Sequence, residues 1–374
     1  MLDTVRTSPF RDRLDRVRDR MGALGVDVLT LSVGADLPWL CGYEAMPLER
    51  LTMLVVPVDG DATLVVPGLE AARVHERREL FRLRPWAETE DPISIVADLV
   101  GSARNVAIGD RTWGRFVVDL LHALPSAQWT RGAAVTAPLR AIKDQSELAA
   151  LQAAGRAADR VAAALQGGEI HLVGRSEADI SAELAQRLLA EGHDRVNFSI
   201  VAAGAHAASP HHDPGSRVVE PGEGVLCDFG GTMPDEFGVR YCSDITRCVW
   251  IGDPPPQVTD AYEVLRSAQQ AAVVAAAPGV AAAAVDAAAR DVITSAGLGE
   301  RFVHRTGHGI GVEEHEDPYV VADNSDPLVA GNVFSIEPGI YVPHEFGLRL
   351  EDIVAVDDTG TLRLNVADHA LAVL

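Results

Sequence analysis

The apolar positions of the first part of the chain switch between a helical and a strand rhythm. Phe10, Leu14, Val17, Met21 and Leu24 recur at steps of four and three, which predicts an amphipathic helix. Gly25 ends it. Val26–Leu31 follows as a buried strand. Leu51–Pro57 and Ala62–Val66 flank Asp59-Gly60, the signature of a β-hairpin. Val106–Ile108 is a further short strand, and Phe116–Leu124 has a helical pattern. Together these elements make a self-contained α/β unit.

A new regime begins at Pro138-Leu139-Arg140. Asp144–Leu165 is Ala-rich and reads as a helix. Ser176–Glu191 reads as a second, with Ser176 as its N-cap and Asp179 three residues on. Val196–Ala202, Gly224–Phe229 and Val239–Trp250 then read as strands. Two Ala-rich helices, Val258–Ala277 and Val280–Ala296, are separated by Pro278-Gly279. Strands return at Val333–Ile336 and Gly347–Val356. The boundary falls near Ala137–Ala141, giving an N-terminal domain over 1–137 and a second over 138–374, both α/β (α+β).

Length supports this division, because 374 residues is long for one domain. The net charge of −22 argues against nucleic acid or an anionic membrane surface as a partner. The charged N-terminus has no apolar leader segment. The longest apolar stretch, Ala271–Ala289, is broken by Pro278-Gly279 and Asp286, so no membrane span is expected. The expected location is the cytoplasm. Cys41, Cys227, Cys242 and Cys248 show no C-x-x-C spacing and read as reduced, buried residues.

Five short motifs in the second domain change the picture. Asp228 stands in C-D-F-G-G, at the end of an apolar run, where a carboxylate is costly unless paired or bound to metal. Its glycines allow the backbone to turn close to a ligand. Asp244 stands in C-S-D-I-T-R and shares a strand face with Thr246. His308 stands in T-G-H-G-I-G, between His304 and His315, where glycines suit a tight loop better than a helix. Glu337 stands in I-E-P-G-I-Y, at a strand end set by proline. Glu351 stands in L-R-L-E-D, two residues from Arg349 and on the same strand face. Each motif alone also fits a satisfied structural side chain. Four carboxylates and one imidazole that converge require a cation, and with one they make a two-metal hydrolytic site. Oxygen ligands with one imidazole favour Mn²⁺ or Co²⁺ over Zn²⁺ or Fe²⁺.

In this order of motifs the chain resembles the pita-bread metallopeptidases, which include methionine aminopeptidase, aminopeptidase P, prolidase and creatinase. The resemblance covers the whole chain. The first domain is similar to the creatinase-like N-terminal domain of the Xaa-Pro peptidase branch. P-L-R-A-I-K-D at 138–144 resembles the entry into the pita-bread catalytic domain. A-S-P-H-H-D-P around His211 resembles the substrate-binding histidine motif, with His212 as the alternative. The resemblance implies that Asp228 chelates one metal, Asp244 and Glu351 bridge two, and His308 and Glu337 complete the other. It implies a bridging hydroxide that attacks the carbonyl before proline. Glu337 takes up the proton, His315 stabilises the oxyanion, and His211 steadies the substrate. His304, Arg349 and Thr246 would support them from behind. A proline-containing peptide substrate and a homodimer belong to the same implication.

One departure bears on substrate length. Dipeptide-specific relatives often carry an Arg between the second His and the Glu-Pro-Gly motif, to clamp the substrate carboxylate. Here 316–335 has neither Arg nor Lys, and Tyr319 occupies about that place. This raises aminopeptidase P-like action on longer peptides beside the dipeptidase reading. Two other readings remain: creatinase-like C–N hydrolysis of a small molecule, and a non-catalytic pita-bread binding module. The second should have lost ligands, and none is missing.

Overall fold

The first helix stops where the sequence requires it: Gly25 adopts φ 67° and its amide donates to the Gly22 carbonyl. The computed structural model describes residues 8–374; the charged N-terminal stretch begins outside the described residues. The first unit runs α1 (Phe10–Leu24), β1 (Val28–Leu31), α2 (Asp36–Cys41), β2 (Met53–Pro57), β3 (Ala62–Pro67), β4 (Phe81–Trp86), α3 (Pro92–Val100), β5 (Asn105–Ile108), α4 (Gly114–Ala123), β6 (Gln128–Arg131) and α5 (Ala133–Arg140). Its sheet has the order β4-β3-β2-β1-β5-β6. β2 and β3 pair antiparallel, as the hairpin signal requires. The α1 stripe buries Phe10, Leu14, Val17 and Met21, while Leu24 is exposed and Arg13 is buried instead, donating to the Trp39 carbonyl at 3.0 Å.

The second unit holds α6 (Gln145–Gln166), α7 (Glu177–Ala190), β7 (Arg195–Ala203), β8 (Gly224–Pro234), β9 (Arg240–Cys242), β10 (Ile245–Trp250), α8 (Pro256–Ala275), α9 (Ala282–Ser295), β11 (Gly307–Gly309), β12 (Glu316–Val320), β13 (Val333–Ile336), β14 (Gly339–Val342), β15 (Phe346–Arg349), β16 (Asp352–Asp357), β17 (Gly360–Arg363) and β18 (Ala372–Val373). Contacts divide the chain after Arg140, with Glu236–Val239 grouped with the first unit. Both long N-terminal helices of this unit are capped by their own sequence. The Asp144 carboxylate accepts from the amides of Ser146 and Glu147, and Glu147 returns to the Asp144 amide at 3.0 Å. Ser176 accepts from the Asp179 amide.

Two five-stranded sheets position the site. One runs β18-β10-β8-β7, with β9 also on β8; the other runs β12-β11-β13-β16-β17. Strand alternation divides β8 between two environments. Cys227 and Phe229 join Val161, Leu165, Ile180 and Leu184 of α6 and α7 in one core. Leu226, on the opposite face, joins a second core with Phe334, Ile336, Leu348 and Leu350. The Ala-rich faces of α8 and α9 pack into that second core. The two sheets meet where the Glu351 amide donates to the Thr246 carbonyl at 3.3 Å.

Three local expectations differ from the fold. β8 continues to Pro234, so Asp228 is mid-strand and its glycines make no turn. They allow close strand packing: a Cβ at Gly230 would stand 2.1 Å from the Ser243 carbonyl oxygen. His308 is the centre of the short strand β11, not of a loop; a Cβ at Gly307 would stand 1.8 Å from the Ser335 carbonyl oxygen. The expected strands Val239–Trp250 and Gly347–Val356 are each broken, at Ser243-Asp244 and at Leu350-Glu351. At Leu350-Glu351 the break lets one stretch of chain pair first with β14 and then with β13, whereas both arms of the Ser243-Asp244 break pair with β8. Among the described residues, no helix is long and apolar enough to cross a membrane. All four cysteines are free and buried.

Candidate metal centre

Asp228, Asp244, His308, Glu337 and Glu351 all line one cavity of about 470 Å³, with His211, His304, His315 and Arg349. Five segments supply the five side chains: β8, the β9–β10 break, β11, the end of β13, and the β15–β16 break. Asp228, Asp244, His308 and Glu351 are each buried. Burial places this much like charge together only with compensation.

Compensation from the protein is partial. Arg349 donates four hydrogen bonds: to Asp228 Oδ2 at 2.5 Å, Tyr341 Oη at 2.8 Å, Thr246 Oγ1 at 3.1 Å and the Pro210 carbonyl at 3.1 Å. Thr246 in turn donates to Glu351 Oε2 at 2.7 Å. Ser335 donates to Glu337 Oε1 at 3.2 Å. Three buried oxygens receive no donor: Asp228 Oδ1, Asp244 Oδ1 and Glu351 Oε1. Buried acceptors without partners are rare in folded proteins and call for an explanation. Here all three belong to one cavity, and a divalent cation would satisfy them.

The electrostatics agree. Burial, then the neighbouring Glu351, Asp228 and Glu337, push the Asp244 carboxyl well above its ordinary range. Burial, then Glu337 and Asp228, do the same to Glu351. Burial also raises Glu337, but the hydrogen bond and charge of His308 outweigh it and bring that carboxyl to about 2. Ligand atoms of Asp244, His308 and Glu351 lie within 4.8 Å of one another.

The imidazole is presented in a usable tautomer. His308 Nδ1 stands 3.2 Å from the Gly309 carbonyl, which can only accept, so Nδ1 bears the proton. In the neutral ring Nε2 then carries the lone pair that a cation would take; in the protonated ring the same nitrogen donates to Glu337 Oε1 at 3.2 Å, and it stands 3.8 Å from Asp244 Oδ2. The His315 ring lies 4.0 Å from that of His308. Burial first, then His308 and Arg305, lower its pKa to about 4, so it is neutral near pH 7.

His211 lines the cavity, whereas His212 turns away and pairs with Glu177 at 2.8 Å. His304 is held by a chain of hydrogen bonds: Arg349 donates to Tyr341, Tyr341 pairs with His304 Nε2 at 2.8 Å, and His304 Nδ1 donates to the Arg305 carbonyl at 2.8 Å. Arg247 pairs with Asp352 at 2.8 Å and Arg240 with Asp194 at 2.6 Å. A surface ion pair for Glu351 with Arg349 does not form; both are buried.

The sequence pattern left Tyr341 and Arg305 unassigned, although Tyr341 closes the I-E-P-G-I-Y motif and Arg305 directly precedes T-G-H-G-I-G. Arg305 lines the cavity and lies over the Tyr319 ring at 4.6 Å. A cation therefore stands beside the position where 316–335 lacks one. Phe198, Ile200 and Glu314 also line the cavity, and no motif pointed to them.

Comparison with known proteins decides the family. The model for metallopeptidase family M24 matches residues 149–358, and the creatinase/prolidase N-terminal domain matches 13–142. The chain belongs to metallopeptidase family M24. As an M24 metallopeptidase it is similar to the probable dipeptidase PepE of Mycobacterium tuberculosis, 43% identical over 94% of this chain and 92% of the relative. It is 35% identical to the Xaa-Pro dipeptidase of Lactobacillus helveticus, over 96% of this chain and 98% of the relative. Among solved structures, dipeptidase PepE from Mycobacterium ulcerans superposes with a TM-score of 0.89 at 43% identity, covering 97% of both chains. Prolidase from Thermococcus sibiricus gives 0.91 at 33% identity, covering 98% of this chain and all of that one. The M24 assignment makes the chain a metal-dependent peptidase with a pita-bread domain and a creatinase-like N-terminal domain.

Proposed function

We propose that this metallopeptidase hydrolyses Xaa-Pro bonds in short peptides, with two divalent cations held by Asp228, Asp244, His308, Glu337 and Glu351. The observation that carries the reading is the set of three donorless carboxylate oxygens around one cavity that also receives a His308 lone pair. The cations supply Lewis acidity and an acidified water, with Mn²⁺ or Co²⁺ favoured by the oxygen-rich set. Glu337, ionised near pH 7, would be the carboxylate placed to take up a proton of that water. His315, neutral near pH 7, donates a hydrogen bond to the oxygen that gains charge at the scissile carbonyl. His211 orients the substrate. Arg349 and Thr246 hold Asp228 and Glu351 in place, and Tyr341 fixes His304.

A cavity of about 470 Å³ is within the ordinary range for small-ligand sites, about 300–1,000 Å³. Arg305 at its wall favours a substrate whose carboxylate is close to the scissile bond, a dipeptide. The relatives named dipeptidase support the same choice. The domain boundary near 137–138, a homodimer and a cytoplasmic location complete the proposal.

The test is metal analysis followed by a chelator-sensitive assay on an Xaa-Pro dipeptide, an Xaa-Pro-Yaa tripeptide and creatine. Two equivalents of metal with dipeptide turnover support the reading. Creatine turnover alone would replace it with C–N hydrolysis, and metal-free inert protein with a binding module.

A further inference from the structure

Glu177, the first residue of α7, has a fully buried side chain that the catalytic reading does not use. Four N–H groups converge on it. The Ala203 amide and His206 Nδ1 both stand 2.9 Å from Oε1. His212 Nε2 stands 2.8 Å and the Gly215 amide 3.3 Å from Oε2. The two imidazoles are 4.4 Å apart. One Glu and two His are also a metal-ligand combination. A carboxylate has about four acceptor positions, however, and N–H donors occupy them all, so this is a hydrogen-bond hub. Burial raises the Glu177 carboxyl, but the Ala203 amide, His212, the Gly215 amide and His206 outweigh it and keep it below its ordinary range.

The donors tie down residues 203–215, the segment that carries His211. Among the described residues, no protein group hydrogen-bonds the His211 imidazole, which nevertheless lines the catalytic cavity. Its two chain neighbours are both anchored. The Pro210 carbonyl accepts from Arg349 at 3.1 Å, and the His212 ring donates to Glu177 at 2.8 Å. The aim of His211 is thus set by what holds the residues on either side.

We propose that Glu177, through His212 and with His206 bracing the same carboxylate, is the device that positions His211 at the substrate. Glu177 and His212 are positioning residues; His211 alone touches substrate. The proposal rests on the peptidase reading only in taking His211 as a substrate contact.

A double-mutant cycle on the metal-loaded enzyme tests it. His212→Ala lowers kcat/KM for an Xaa-Pro dipeptide on the order of tenfold, since small misplacements of a contact group carry such costs. Metal content is unchanged. His212→Gln keeps an N–H that can reach Glu177 and recovers most of the loss. In a His211→Ala background, His212→Ala costs less than about twofold, because its effect passes through His211. Equal losses in both backgrounds would make His212 merely structural and overturn the proposal. A second readout needs no turnover: the ¹³Cε1 histidine resonance of His211, identified by its absence in His211→Ala. It shifts or broadens in His212→Ala and returns in His212→Gln. An unmoved resonance refutes positioning, whereas a wild-type enzyme inert on Xaa-Pro peptides with a shifted resonance refutes only the substrate reading.

Discussion

The proposed dipeptidase reading makes Arg305 the residue that sets peptide length. Two arginines line the cavity, and Arg349 spends four of its five N–H donors on Asp228, Tyr341, Thr246 and Pro210. Arg305 has no carboxylate partner among the described residues. Its guanidinium lies over Tyr319 at 4.6 Å, and its own carbonyl is fixed by His304. The group is thus held at the wall with its charge unspent. A dipeptide brings a carboxylate to that wall; a tripeptide or a dipeptide amide brings a neutral amide. A hydrogen bond to a charged group contributes about 1.5–3 kcal/mol, which is about 10- to 150-fold in kcat/KM. Arg305→Gln keeps much of the side-chain length and removes the charge. Proline release from a free Xaa-Pro dipeptide, measured at steady state with metal content as control, falls by that factor, mainly through KM. Hydrolysis of the C-terminal amide of the same dipeptide changes less than about threefold. Equal losses on acid and amide would refute the reasoning and return the tripeptide reading to first place.

Other consequences are as direct. Asp244→Asn removes one of the donorless oxygens, so the purified variant holds less than two equivalents of metal and loses more than about a hundredfold in activity; full peptide cleavage would show the ligand set to be wrong. Without cations, burial and mutual repulsion keep Asp244 and Glu351 protonated above the ordinary carboxylate range. Adding Mn²⁺ to apo-protein in weak buffer just above the ordinary carboxylate range therefore releases protons, and apparent affinity climbs with pH; Glu351→Gln reduces the release, and silence in the pH trace would contradict the assignment. Gly307→Ala drives a Cβ to 1.8 Å from the Ser335 carbonyl oxygen, so β11 must shift and stability falls by at least about 3 kcal/mol in denaturant titration.

How far the sequence reached depended on what fixed each element. Local signals read well. The α1 stripe, Gly25 at its end, the Asp59-Gly60 hairpin and the Ser176 cap are all set by residues a few positions apart, and each is where the pattern placed it. Edges and short strands did not read. β6 (Gln128–Arg131) is mostly exposed and has no apolar alternation to announce it. α2 is six residues long and contains a proline. The broken strands looked continuous because alternation persists through Ser243-Asp244 and Leu350-Glu351, although the ladder is interrupted at both and the pairing partner changes at the second.

The site shows the same division at finer grain. The four carboxylates and one imidazole that line the cavity were legible because each is a polar residue forced into an apolar or glycine-bound run, a local conflict that a common ligand would resolve. The glycines were legible as unusual but not in purpose. Gly230, Gly307 and Gly309 accommodate the carbonyls of Ser243, Ser335 and Asp317, strands that are distant in sequence. Arg305 and Glu177 mark the limit. An arginine between His304 and Thr306 says nothing about which ring it stacks on, and a glutamate at a helix start looks like any N-terminal acid. Their significance comes from Tyr319, fourteen residues away, and from His206 and His212, twenty-nine and thirty-five away. In this enzyme the proposed ligands are therefore written in the motifs, while the residues proposed to set substrate length and to aim the contacts are written in the packing between them.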